Sequence, residues 1–169
     1  MHDLTQLFDS HNGNFLLKRS LLVTWDEAKL RNLIFIGASS ENSSIRVIPA
    51  TTDFTMMSAD TYAGILNQHP KPGEPAQWTR LEYPLTRDYA VTALQPGVEA
   101  GHRTLVFSGL TTMGTQAAVE FASDPARMSQ LLSALNYKGG ELRPFEAVLE
   151  VTLGGGVPLQ SKIVAVRSH

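Results

Sequence analysis

The residues with the greatest capacity for chemistry follow two short apolar runs. Ile34-Phe35-Ile36-Gly37 leads into a stretch with Ser39, Ser40, Asn42 and Ser43, and Val106-Phe107-Ser108-Gly109 leads into one with Thr111, Thr112, Gly114, Thr115 and Gln116. Hydroxyls, amides and the backbone N–H groups of a helix start are neutral hydrogen-bonding groups that suit a phosphate, a carboxylate or a sugar. They are poor at moving protons. These residues, with Gly37 and Gly109, are therefore the candidate ligand-binding set, and none is assigned a catalytic role. Gly109 and Gly114 would let a ligand approach the backbone, or would simply allow tight strand-to-helix packing. Their spacing matches neither G-x-G-x-x-G nor G-x-x-x-x-G-K-[ST], so no nucleotide fingerprint is present.

Other constellations are weaker. A hydrolase would recruit Ser108 or Thr112 with His102 and Asp88, but G-x-S-x-G is missing because residue 106 is Val. Asp88 reads first as a buried acceptor that holds a loop. The histidines at 2, 11, 69, 102 and 169 show no metal-binding spacing, so neither a metal site nor a cofactor is expected. Cysteine is absent, which removes disulfides and thiolate chemistry and fits the cytoplasm.

The elements that must position these groups can be read in order. Residues 3–8 suit a short helix, and the apolar pieces 15–17 and 21–23 suit a strand. Thr24 caps a helix over 25–31 with Asp26 and Glu27 in its first turn. Residues 33–36 lack period-2 alternation, which predicts a central strand buried on both faces. Strands are expected at 53–57, 78–83, 88–94 and 103–107, the last two as a hairpin or as neighbours. The three prolines of 69–75 require an extended loop. A helix over 115–122 follows, and Asp124 before Pro125 starts an amphipathic helix over 125–137. Residues 145–153 and 159–167 form a C-terminal antiparallel hairpin across Gly154-Gly155-Gly156-Val157-Pro158, and the alternation around Glu146 and Glu150 predicts one wet face. Strand-to-helix units combined with antiparallel pairs give an α/β class. The expected architecture is a Rossmann-like three-layer domain with a mixed, partly parallel sheet.

The 169 residues are 43% hydrophobic, enough for a single domain spanning 1–169. A net charge of −2 leaves no basic surplus for direct nucleic-acid binding. Apolar runs are far shorter than the roughly 20 residues of a membrane span, so no membrane association is expected.

Residues 32–37 with Glu41-Asn42, then Asp88-Tyr89-Ala90, then Gly109 with Gly114-Thr115-Gln116-Ala117-Ala118, Phe121 and Asp124-Pro125 carry a resemblance. Over about residues 15–167 the chain resembles an uncharacterised bacterial domain found carboxyl-terminal to winged-helix or other regulatory modules. The resemblance implies a sensor or effector whose output lies elsewhere in the polypeptide, a domain cut from a longer regulatory protein. The functional expectation is a non-catalytic, sensor-like domain that takes a small polar or anionic ligand between the loops after Gly37 and Gly109. The alternative is a protein-interaction or structural module using a sheet edge, as a homodimer or with a fused regulatory domain, and a hydrolase comes third.

Overall fold

The computed structural model describes residues 2–10, 13–37, 51–59, 62–79 and 84–169. Helix α1 (His2–Ser10) and helix α2 (Trp25–Lys29) precede strand β1 (Leu33–Ile36). The start of α2 follows from its sequence. Thr24 Oγ1 accepts from Glu27 N, and the Glu27 carboxylate returns to Thr24 N, so two orphan donors are satisfied reciprocally. Strands β2 (Phe54–Ala59), β3 (Tyr62–Asn67) and β4 (Gln77–Thr79) form an antiparallel three-stranded sheet. Strand β5 (Arg87–Pro96), strand β6 (Arg103–Gly109), helix α3 (Thr112–Ser123), helix α4 (Pro125–Ala134), strand β7 (Phe145–Gly154) and strand β8 (Val157–Ser168) follow.

The larger sheet has the order β1-β6-β5-β7-β8, and among the described strands only β1 and β6 run parallel. Hairpins β5–β6 and β7–β8 supply most of the pairing, the latter closed by Gly155 and Gly156, both at positive φ. Side chains alternate between two cores. Ala90, Phe107, Ala147 and Leu149 pack with Ala118, Val119, Phe121 and Leu131 of α3 and α4. On the opposite face Tyr89, Val91, Ala93, Val106 and Val148 pack with Phe54, Ile65 and Trp78 of the smaller sheet. Trp78 is core, edge-on to Phe54 at 5.7 Å between ring centres.

Four expectations change. Among the described strands the run 33–36 lies at the sheet edge, not at its centre, and Ile34 is exposed. Residues 15–17 and 21–23 form no strand; a short 3-10 turn occupies Ser20–Leu22, and the leucines point to solvent. The face of β7 read as wet is covered at its start by the smaller sheet, so Glu146 is fully buried. The α/β class with a mixed sheet and a C-terminal hairpin is present, but a single parallel pair and a second antiparallel sheet depart from the Rossmann pattern.

Candidate functional site

Parallel pairing sets Leu33 beside Thr104 and Ile36 beside Phe107, so β1 and β6 end together, and Gly37 N donates to Phe107 O at 3.0 Å. The two strands thus are neighbours. Ser39, Ser40, Asn42 and Ser43 lie outside the described residues. After β6 the candidate groups are placed, and most are bonded within the chain. Thr111 Oγ1 caps α3 by accepting from Met113 N at 3.2 Å and donates to Asp88 Oδ2. Gly114 N donates to the same oxygen at 2.8 Å. Thr115 Oγ1 accepts from Gly109 N at 3.0 Å and donates to Thr111 O at 3.2 Å. Thr112 and Gln116 are exposed, and Gln116 Nε2 donates to Glu120 Oε1.

Asp88 is fully buried, and its carboxylate sits at the positive end of the α3 dipole. The position an anionic ligand would take is filled by the chain's own side chain. A Cβ on Gly109 would lie 2.2 Å from Thr115 N, and one on Gly114 would lie 2.6 Å from Asp88 Oδ2. Both glycines are required by close packing. Asp88→Ala should leave the Gly114 N–H without its acceptor and the Thr111 hydroxyl without its strongest one, lowering stability by about 2 kcal/mol. Urea unfolding checks this; a loss below about 0.5 kcal/mol, the usual surface effect, would show that the cap contributes little.

The hydrolase trio does not assemble. His102 sits in the β5–β6 turn, where Gly97 N donates to its carbonyl, while Ser108 lies near the far end of β6. Six residues of extended chain separate them, roughly 20 Å.

A different group of titratable side chains does converge, where the start of β7 and the end of β8 meet the smaller sheet. Glu146, on β7, accepts from the backbone N–H groups of Thr52 (2.6 Å), Asp53 (3.0 Å) and Phe54 (2.9 Å), and from Gln95 Nε2 (3.2 Å). This carboxylate anchors the chain entering β2. Asp53 is buried, with one oxygen 2.9 Å from His69 Nδ1 and the other 3.4 Å from His169 Nε2. His169 Nε2 is also 3.6 Å from Glu146 Oε1. Arg167, next to Glu146 in register, donates from Nη1 and Nη2 to both oxygens of Glu74 and from Nη2 to His69 O. Its guanidinium carbon lies 5.0 Å from the centre of the Phe54 ring. The hydrogen-bonded guanidinium pulls the Glu74 carboxyl down to about 2 and raises Arg167 in turn.

None of these residues stood out in the sequence as a site. Asp53, His69, Glu146, Arg167 and His169 span more than a hundred positions and share no local spacing. The only sequence signal was a glutamate inside the apolar run of 145–149. No family model, curated protein or solved structure matches the chain. The family resemblance rests on the quoted residues alone.

Proposed function

We propose that this domain is a non-catalytic interaction module that associates with a second copy of itself through the segment leading into β1. The observation that carries this reading is the exposure of Phe15, Leu16, Leu17, Leu21, Leu22, Trp25 and Leu30, from 43% to 87%, followed by Ile34 on the sheet edge. At about 180–250 Å² per fully exposed large side chain, their separate exposures add to on the order of 900 Å². A standard interface buries about 800 Å² per partner, so a second copy covering these residues would bury an area of that order. The paired edge strands and a C2 axis would make the contact self-complementary.

The expected result is a dimer by sedimentation with a concentration-dependent unfolding temperature, converted by Leu21→Glu with Leu22→Glu to a monomer whose far-ultraviolet circular dichroism is unchanged and whose unfolding temperature no longer depends on concentration. Truncating buried interface anchors costs about 2 kcal/mol or more each, so the dissociation constant should rise at least about 30-fold. A wild-type protein that stays monomeric at about 1 mM, where even a −4 kcal/mol association would show, would sink the reading.

A second reading keeps the small polar or anionic ligand at the strand ends after Gly37 and Gly109. The parallel β1–β6 pair favours it, because loops leaving neighbouring parallel strands at one end are where ligands collect in open sheets. Asp88 already holds the first turn of α3, and the residues after Gly37 on which this reading depends lie outside the described ones. Stabilisation by a nucleotide, sugar or organic anion in a thermal-shift screen would support it. Helices on one face of the large sheet and strands on the other support a three-layer reading, with strands in place of one layer of Rossmann helices. The regulatory role and cytoplasmic setting belong to this same proposal. Among the described residues, no helix is long and apolar enough to cross a membrane.

A further inference from the structure

We propose that Asp53, Glu146 and His169 form a binding site for a divalent first-row transition metal, with zinc as the closest match. The inference stands apart from self-association and uses other residues. One ligand atom from each residue lies within 4.8 Å of the other two. His169 Nε2 is 3.4 Å from Asp53 Oδ2 and 3.6 Å from Glu146 Oε1. A tetrahedron with bonds of about 2.1 Å, the usual length for zinc to imidazole nitrogen or carboxylate oxygen, has edges of about 3.4 Å. The two edges from His169 match this spacing, and the third, between the two carboxylates, lies within 4.8 Å. An imidazole with two carboxylates is a donor set for zinc or manganese, and three protein ligands leave a position for water.

The surroundings fit a metal in three further ways. The ligands are oriented from behind, as metal ligands usually are. His69 Nδ1 holds the far oxygen of Asp53, and the N–H groups of Asp53 and Phe54 hold the far oxygen of Glu146, while Oε1, which faces His169, also accepts from Thr52 N and Gln95 Nε2. The charges do not cancel without a cation. Asp53, Glu146 and Glu74 contribute three negative charges against the single positive charge of Arg167, which is committed to Glu74 and stands 4.0 Å from Asp53. With neutral imidazoles the cluster carries −2, the charge a divalent ion removes. Finally, the His169 side chain is 36% exposed, which gives the ion a way in.

Two imidazolium ions at His69 and His169 would neutralise the same charge, and metal uptake separates the two cases. The test is titration of chelator-treated full chain with zinc chloride, followed by calorimetry and by thermal unfolding. The expected result is one zinc per chain, a raised unfolding temperature, and nitrogen and oxygen neighbours at about 2.0–2.1 Å in zinc-edge X-ray absorption. His169→Ala removes a ligand from a partly exposed position without opening the core, and should weaken zinc binding by more than the 10- to 100-fold typical of outer-shell losses. His69→Ala should fall within that 10- to 100-fold range, and His102→Ala should bind as wild type. No saturable uptake by the wild type would overturn the proposal. So would undiminished binding by His169→Ala, which would place the ion on other histidines.

Discussion

Arg167→Met is expected to lower stability at neutral pH by about 3–5 kcal/mol, the usual cost of removing one member of a buried, hydrogen-bonded ion pair. The side chain is 8% exposed and makes three contacts on two elements: Glu74 and the carbonyl of His69 in the β3–β4 connection, and the ring of Phe54 in β2. Methionine replaces the aliphatic stem but leaves the Glu74 carboxylate with only the Lys71 N–H and Asn67 Nδ2 as donors. The pH dependence identifies the cause. Glu74 has a folded pKa of about 2 against an ordinary 4.5. A depressed carboxyl pKa contributes stability that is complete above the unfolded value and is lost as pH falls through the folded one. The pair's contribution should therefore disappear between about pH 4.5 and 2, and after allowance for solvent screening it is on the order of 2 kcal/mol. Urea unfolding across that range should show a steep acid limb in the wild type and a shallower one in Arg167→Met. Parallel curves offset by a constant amount would assign the loss to packing against Phe54 instead. Adding Glu74→Gln to Arg167→Met should recover part of the stability, since the buried charge left without its partner is then gone.

What the sequence disclosed and what it hid divide along the range of the interactions. Thr24 with Glu27 and Asp124 with Pro125 start helices through bonds closed within three residues, so reading neighbours was enough. Gly155 and Gly156 turn a hairpin for an equally local reason. The run 33–36 is different. Its uninterrupted apolar character predicts burial on both faces, yet strand order is decided by what pairs with it, and only β6 does so among the described strands. Leu16, Leu17, Leu21 and Leu22 look like core for the same reason, and no described element covers them. An exposed apolar segment and a buried one have the same composition; only the partner distinguishes them.

The cluster at Asp53 was harder still to read. Period-2 alternation correctly put Glu146 on the face opposite Ala147 and Leu149, but could not tell that a second sheet lies across that face. Asp88 was the exception among polar residues. Its position before a strand suggested a buried acceptor that holds a loop, and it is a buried acceptor, but for the first turn of α3. The same fact weakens the ligand pocket expected there, because the N–H groups that were to receive an anion already have one.

Glu146→Gln should cost about 3 kcal/mol although the side chain keeps its size and shape. Every polar neighbour of Glu146 within hydrogen-bond range is a donor: the N–H groups of Thr52, Asp53 and Phe54, the hydroxyl of Thr52, and Gln95 Nε2. An amide offers one acceptor oxygen and one NH₂. Whichever way it is turned, the NH₂ faces groups that also donate, and at least one buried donor loses its partner. Only the Thr52 hydroxyl and the side-chain amide of Gln95 can rotate to present an oxygen, which sets the loss below that of a fully unpaired buried charge. For a domain of this size about 3 kcal/mol corresponds to a fall in unfolding temperature of roughly 6–12 °C. Global stability alone would not show where the damage lies, so amide hydrogen exchange should be read at Thr52, Asp53 and Phe54. Their protection should drop in Glu146→Gln more than that of the β5–β6 pair, because the carboxylate is what fastens the chain entering β2 to the larger sheet. Unchanged exchange at those three amides would mean that packing of Phe54, Ile65 and Trp78 against Val91, Ala93, Val106 and Val148 holds the two sheets together without Glu146.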